Sequence, residues 1–378
     1  MLQPRTIEEL AACVATAQAP FELLGAGTKR RLGRPVVATP LSLAKFNRVI
    51  AYEPEELILE AGAGITLSEI DKLLRQRQQM LAFEPPDFSK LLGSKHAGTL
   101  GGTLACNLSG PRRISAGAAR DHVLGIRGVN GSGEIFKSGA RVVKNVTGYD
   151  VPRLMAGSYG TLAALTAIIF KVLPKPETEL TLQSVAQDAR AALTLMTTAM
   201  QSSCEVSGAA FVPGRGVFLR LEGIALSTSY RAGKLGALLA LPCEHLEAAA
   251  SRQVWASIRD VEALKAPLTD TVWRISLAPQ EAPSVVEQLQ RHFSFRYILD
   301  WAGGLLWLAH AAGENHASLI RQTASPGSAT LFRADDELRQ TIAVFAPLPS
   351  AHAALSLRLK QAFDPKGLFN PGRMVQGA

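Results

Sequence analysis

Two glycine-rich stretches hold the residues of this 378-residue chain that are best suited to chemistry. Phe21-Glu-Leu-Leu runs into Gly25-Ala26-Gly27-Thr28-Lys29, and Gly98-Thr99-Leu-Gly101-Gly102 continues through Thr103 to Asn107. Backbone N–H groups reach phosphate oxygens best where no Cβ intervenes, and the threonine hydroxyls add donors beside them. Two such loops can grip one pyrophosphate from both sides. A third stretch, Lys144-Asn-Val-Thr-Gly148-Tyr-Asp150, runs on through Gly157 and Gly160 to Thr161 with few carboxylates. Together they suit an extended anionic cofactor of dinucleotide size better than a mononucleotide.

The standard nucleotide fingerprints are absent. Gly25-Ala-Gly27-Thr-Lys-Arg30 has Arg where the dinucleotide motif wants a third Gly, and Gly62-Ala-Gly64-Ile-Thr-Leu67 fails at the same place. No segment reads Gly-x4-Gly-Lys-Ser/Thr. Gly62–Gly64 has a plainer reading: a strand at 57–61, a turn, then a Thr66-x-x-Glu69 capping box opening a helix over 68–79. Taken alone, Gly25–Thr28 reads equally well as a βα turn.

The elements that position these loops follow from pattern. Helix signals cover 6–17 and 68–79, and strand signals fall near 21–24, 36–39, 57–61, 123–129, 134–137 and 165–172. Pro174-Lys-Pro176 breaks the run and marks a boundary. Beyond it, strand 180–185, helix 188–201, strands 209–212 and 217–221 and helix 230–241 are followed by a similar set. That second set is strand 272–277, helix 282–293, strands 295–300 and 305–310 and helix 315–323. Val285, Val286, Leu289 and Phe293 share one face of its first helix. Two such units predict an antiparallel sheet backed by helices, in an α+β chain. The domains expected are 1–174, 175–342 and a tail, 343–378, that returns to the first through a helix over 351–363.

At 47% hydrophobic and 19% charged residues, the composition is that of a well-packed globular protein. No apolar run reaches the roughly 18–20 residues of a membrane span, and Met1-Leu-Gln-Pro-Arg5 lacks the core of a secretion signal. Cys13, Cys106, Cys204 and Cys243 are scattered, which gives no iron–sulfur or zinc motif and suits a reducing cytoplasm. The net charge of +8 is dispersed and aromatics are sparse at 6%, which argues against a nucleic-acid platform.

The glycine stretches, with Pro85-Pro86-Asp, Gly117–Gly125 and the tail Asp364-Pro-Lys-Gly-Leu-Phe-Asn370-Pro-Gly-Arg373, resemble the vanillyl-alcohol oxidase/PCMH flavoprotein superfamily. Ser109-Gly-Pro-Arg-Arg113 and Asp300–Leu308 draw the resemblance towards the smaller FAD-binding subunits of bacterial glycolate oxidases. It implies a PCMH-type two-subdomain FAD-binding domain followed by a reduced antiparallel α+β cap. The FAD is expected to be noncovalent, since Gly27-Thr28-Lys29 carries neither the tethering His of some relatives nor a thiol; Cys13 and Cys106 stay formal alternatives. Cofactor contacts are expected at Gly25, Ala26, Gly27, Thr28, Lys29, Pro86, Gly98, Thr99, Gly101, Gly102, Asn107, Gly157, Gly160, Thr161, Ile168 and Asn370, with Arg373 near the flavin edge. Asp150 reads either as a cofactor-segment contact or as a turn residue.

The activity implied is oxidation of glycolate to glyoxylate, or of D-lactate, within a cytoplasmic complex. Its partners would be a paralogous FAD-binding subunit and an iron–sulfur subunit, with any attachment to the inner face of the membrane made through the complex. Such oxidation needs a cation for the substrate carboxylate, and Arg274, Arg296 and Arg333 are the candidates. No metal is expected. Larger relatives hold one with a close His pair and a Glu-His segment, and the spacing in His310-Ala-Ala-Gly-Glu-Asn-His316 does not fit. A self-sufficient 2-hydroxy-acid oxidase and a non-catalytic scaffold are the alternatives.

Overall fold

The structure, a computed structural model, describes residues 1–142 and 148–375. Residues 144–147 of the third stretch therefore lie outside the described residues. The chain divides into two compact units. The first is Met1–Ser109, Ala118–Pro174 and Arg339–Ala378; the second is Gly110–Gly117 and Lys175–Leu338. The expected boundaries at 174 and 342 thus need two corrections: Gly110–Gly117 goes with the second unit, and the return starts at Arg339.

In the first unit, Thr6 caps the helix Ile7–Ala15 by accepting from the Glu9 N–H, and Ile7, Leu10 and Val14 form its buried face. β1 (Phe21–Leu24) and β2 (Thr39–Ser42) pair in parallel. β3 (Val49–Glu53) and β4 (Ile58–Gly62) precede the helix Leu67–Arg75. Its Thr66–Glu69 capping box forms as expected, though the helix ends at Arg75 rather than 79. β5 (Gln79–Met80) and β9 (Leu173–Pro174) make a short separate ladder. β6 (Val123–Asn130), β7 (Ile135–Gly139) and β8 (Ala163–Lys171) complete a five-stranded antiparallel sheet in the order β3-β4-β8-β6-β7. β8 is apolar almost without break because both its faces are covered. Leu165 and Ile168 join a core with Leu59, Leu100 and Leu104, while Ala164 joins another with Leu10, Val14 and Phe369.

The tail lies along β1. The Phe21 N–H donates to Leu368 O at 2.7 Å, and the Asn370 N–H donates to Phe21 O at 2.9 Å. It is anchored by Lys360, whose Nζ bonds Asp364 at 2.6 Å and the carbonyls of Thr161 and Phe369.

The second unit contains one eight-stranded sheet. Its strands are β10 (Thr178–Ser184), β11 (Gly208–Val212), β12 (Gly216–Gly223), β13 (Cys243–Glu247), β14 (Thr271–Ser276), β15 (Arg296–Asp300), β16 (Leu305–His310) and β17 (Ser328–Arg333). They run in the order β13-β10-β12-β11-β15-β16-β14-β17. Each half is a βαββαβ unit of ferredoxin-like order, and the second repeats the first in reverse, joined where Phe211 of β11 faces Leu299 of β15. The two expected βαββα units are therefore each one strand short. Cys243-Glu-His-Leu-Glu247 escapes a sequence reading because it is a largely exposed, charged edge. Arg112 fastens Gly110–Gly117 to this unit through a paired contact with Glu222 at 3.0 and 2.6 Å. The Trp301 indole N–H donates to Gly110 O at 3.1 Å.

Candidate cofactor cleft

A cleft of about 800 Å³, counting its open mouth, brings the two glycine loops together in the first unit. Gly25, Ala26, Gly27, Thr28 and Lys29 line one side, Thr99, Gly101 and Gly102 another, and Gly160 and Asn370 complete it. Thr99 caps the short helix Leu100–Ala105, its hydroxyl accepting from Gly102 N at 3.3 Å. The glycines let these walls approach. A Cβ on Gly25 would stand 2.3 Å from Thr99 Oγ1, and one on Gly101 2.8 Å from the Ala63 Cβ and carbonyl oxygen. Asn370 holds the parts in register: its Oδ1 accepts from Leu23 N at 2.9 Å, and its Nδ2 donates to Tyr159 O at 2.8 Å.

Six of the sixteen expected contacts are not in the lining. Gly98 borders it, since a Cβ there would lie 2.8 Å from Lys29 Nζ. Asn107, Gly157 and Thr161 buttress it instead. Gly157 N donates to Leu104 O at 3.1 Å, Asn107 Oδ1 accepts from Arg120 N at 3.2 Å, and the Thr161 hydroxyl donates to Ser158 O at 2.7 Å. Pro86 lies outside the lining. Ile168 is a correction: it is fully buried in the core, paired with Ala61 on one side and Ile126 on the other. Asp150 takes the turn role, capping Val151–Met155 by accepting from Arg153 N at 3.1 Å.

The electrostatics are those of an anion site. Glu22, 3% exposed, accepts from Arg30 Nε at 3.0 Å and from Arg373 at 3.0 Å. Arg373, 4% exposed, donates also to Leu32 O at 3.1 Å, yet its Nε has no partner among the described residues. Burial lowers its pKa against the pull of Glu22. Lys29 keeps some surface exposed, but its ammonium lies among protein groups. Burial lowers its pKa, Cys106 and Asp87 oppose this, and its hydrogen bond to Thr28 is long at 3.4 Å. The Cys106 thiol, which also lines the cleft, is pushed up to about 11 by burial. Lys29, Arg30 and Arg373 against Glu22 leave the cleft an excess of positive charge. An unmet buried N–H and two glycine walls fit the diphosphate of FAD. The resemblance puts Arg373 near the flavin edge and leaves Cys106 only as an alternative tether; the sequence signal for Arg373 is its place in the Asn370-Pro-Gly-Arg turn.

The three candidate clamps lie in the second unit. Arg333, 1% exposed, donates to the carbonyls of Asp270, Lys265, Pro267 and Leu264, so it fastens a loop rather than a ligand. Arg296 is likewise committed, to Ala263 O, Ala266 O and the Asp270 carboxylate at 2.7 Å. Arg274 lies over the rings of Trp301 and Trp307, at 5.1 and 6.0 Å. His310, Glu314 and His316 do come together, contrary to the expectation from spacing, with ligand-type atoms within 4.8 Å. His310 is nevertheless engaged at both nitrogens: Nε2 accepts from the Trp273 indole at 3.3 Å, and Nδ1 meets Ala311 O at 2.8 Å. His316 stacks on Phe293 at 3.9 Å.

Residues 1–139 match the FAD binding domain family. The chain is 36% identical to the glycolate oxidase subunit GlcE of Escherichia coli, over 94% of this chain and 92% of that one. It is 34% identical to the Bacillus subtilis glycolate oxidase subunit GlcD, over 39% of this chain and 30% of the relative. A D-lactate dehydrogenase of Anaerostipes hadrus is 35% identical over 38% of this chain and 28% of the relative. An alkyldihydroxyacetonephosphate synthase structure superposes with a TM-score of 0.71 at 14% identity, covering 98% of this chain and 75% of that one, a likeness of fold. With a match running through nearly the whole of both sequences, the chain belongs to the GlcE family of PCMH-type FAD-binding subunits.

Proposed function

We propose that the chain is the FAD-holding subunit of a glycolate oxidase complex that converts glycolate to glyoxylate and also takes D-lactate. Its partners in this reading are a paralogous, GlcD-like FAD-binding subunit and an iron–sulfur subunit. The observation that carries the proposal is the cleft: two glycine walls converge on an excess of cations, one with an unmet buried N–H. Gly25–Thr28 and Thr99–Gly102 would hold the diphosphate through N–H and hydroxyl groups, with Lys29 and Arg373 supplying the charge. Bound FAD supplies the hydride acceptor for a 2-hydroxy acid. Cys106, held as a neutral thiol by burial, is poorly suited to a covalent tether, which favours noncovalent binding.

The second unit corresponds to the cap in this reading. No helix among the described residues is long and apolar enough to cross a membrane. The reading places the complex in the cytoplasm, with any contact to the inner membrane face made through its partners.

The test is an anaerobic visible spectrum of the purified chain before and after glycolate is added. Flavin bands that bleach would place hydride transfer in this subunit. Bands that bleach only when the paralogous partner is present would make it an electron-carrying or structural flavin. A chain that lacks flavin and takes up none when FAD is returned would overturn the proposal.

A further inference from the structure

A second cleft of the first unit, about 1280 Å³ counting its open mouth, is not part of the cofactor site. Strand alternation separates the two. Leu165 and Ala63 line the cofactor cleft, whereas their neighbours Thr166 and Gly62 line the second one. Its cations are Arg5, Lys45 and Arg48, and no carboxylate lines it. None of the three makes a side-chain hydrogen bond or ion pair among the described residues. Glu9, one turn along from Arg5, has its Oε2 on the Arg5 backbone N–H at 2.7 Å. The Asn47 amide adds further donors, Phe46 lines the apolar part, and Ile50, 52% exposed, also contributes.

We propose that this second cleft binds a phosphate-type dianion, through Arg5, Lys45 and Arg48. Two guanidinium forks and an ammonium offer more donors than the two oxygens of a carboxylate can accept, and a tetrahedral phosphate presents three or four. The shared chemistry admits two sources, a free phosphate compound or the headgroup of an anionic lipid.

The experiment uses the FAD-saturated chain, so that the cofactor cleft does not compete. Calorimetry with inorganic phosphate at fixed ionic strength should show saturable binding with a Kd of roughly millimolar or tighter. Lys45→Glu with Arg48→Glu should weaken it at least about tenfold while flavin content and Tm stay at wild-type values. Co-sedimentation with phosphatidylglycerol vesicles, against phosphatidylcholine alone, separates the sources. Vesicle binding lost in the variant identifies a lipid headgroup; phosphate binding without vesicle binding identifies a free compound. A wild type that binds neither, or a variant that binds as well as wild type, overturns the proposal. Flavin content is scored separately, so neither result bears on the FAD assignment.

Discussion

Arg231, Arg220 and Arg333 of the second unit and Arg373 of the first are buried alike but engaged in opposite ways. In the second unit Arg231 donates to the carbonyls of Cys204 and Glu222 at 3.0 and 2.6 Å, and Arg333 donates to four carbonyls. Arg220 pairs with Glu222 at 3.6 Å and lies 4.5 Å over Trp255. In the first unit Arg373 is just as enclosed, yet one of its donors meets nothing, and Lys29 has only a long contact. An unmet buried donor costs about 1–3 kcal/mol, so such a group persists where something outside the chain meets it. Burial of a cation therefore does not mark a ligand site. An unmet donor that lines a cleft beside two glycine walls, as at Arg373, does.

The sharpest way to break this comparison is to close the cleft without touching its charges. Gly101→Val forces a β-branched side chain against the backbone of Ala63, where a Cβ alone already comes within 2.8 Å. The helix Leu100–Ala105 must then shift away from the first loop, and FAD binding should be lost altogether while the second unit stays folded. Purification of this variant with full, stable flavin would sink the loop assignment. Next in size is Arg373→Leu. It strips Glu22, only 3% exposed, of one of its two arginines, and breaking such a buried pair costs about 3 kcal/mol. Urea unfolding of the apoprotein should show that loss, and added FAD should rescue the variant less than it rescues wild type. Equal rescue by FAD would remove Arg373 from the site.

How much of this was legible in the sequence differs between the units for the same reason. Gly25–Lys29 and Thr99–Gly102 advertise themselves, because backbone that must approach an anion or another loop excludes Cβ atoms. The capping box Thr66–Glu69 is equally local. Arg373 was noted only by its place in the tail, because its meaning depends on Glu22 at the other end of the chain. Ile168 was misread: an apolar residue on a central strand carries no local sign of which layer it faces. In the second unit the repeat was visible from its periodicity, but edge strands β13 and β17 were not. Arg296 and Arg333 look like ligand clamps in one dimension, and only the fold reveals the carbonyls that engage them.

Arg333→Leu sharpens the contrast from the other side. It orphans carbonyls of Leu264, Lys265, Pro267 and Asp270, and should cost roughly 2–3 kcal/mol of stability. FAD affinity, followed by flavin fluorescence, should not change. A loss of flavin larger than the loss of stability would return Arg333 to the list of ligand contacts.

The smallest expected effect is also the most specific to chemistry. Burial holds the Lys29 pKa below its ordinary 10.5 in the apoprotein, so its charged form is lost there once the pH rises past that lowered value. A bound diphosphate favours the charged form and raises the pKa again, so binding takes up a proton between the two values. FAD affinity should therefore be flat at neutral pH and fall as pH climbs through that alkaline window. Lys29→Met should weaken binding about tenfold at neutral pH and abolish the alkaline fall, since no proton is left to lose. The same change should leave the apoprotein as stable as wild type or more so, because it removes a buried charge that only the ligand neutralises. Parallel FAD titrations of the two proteins across pH decide it: if both lose affinity alike on the alkaline side, the proton belongs to another group and Lys29 does not face the diphosphate.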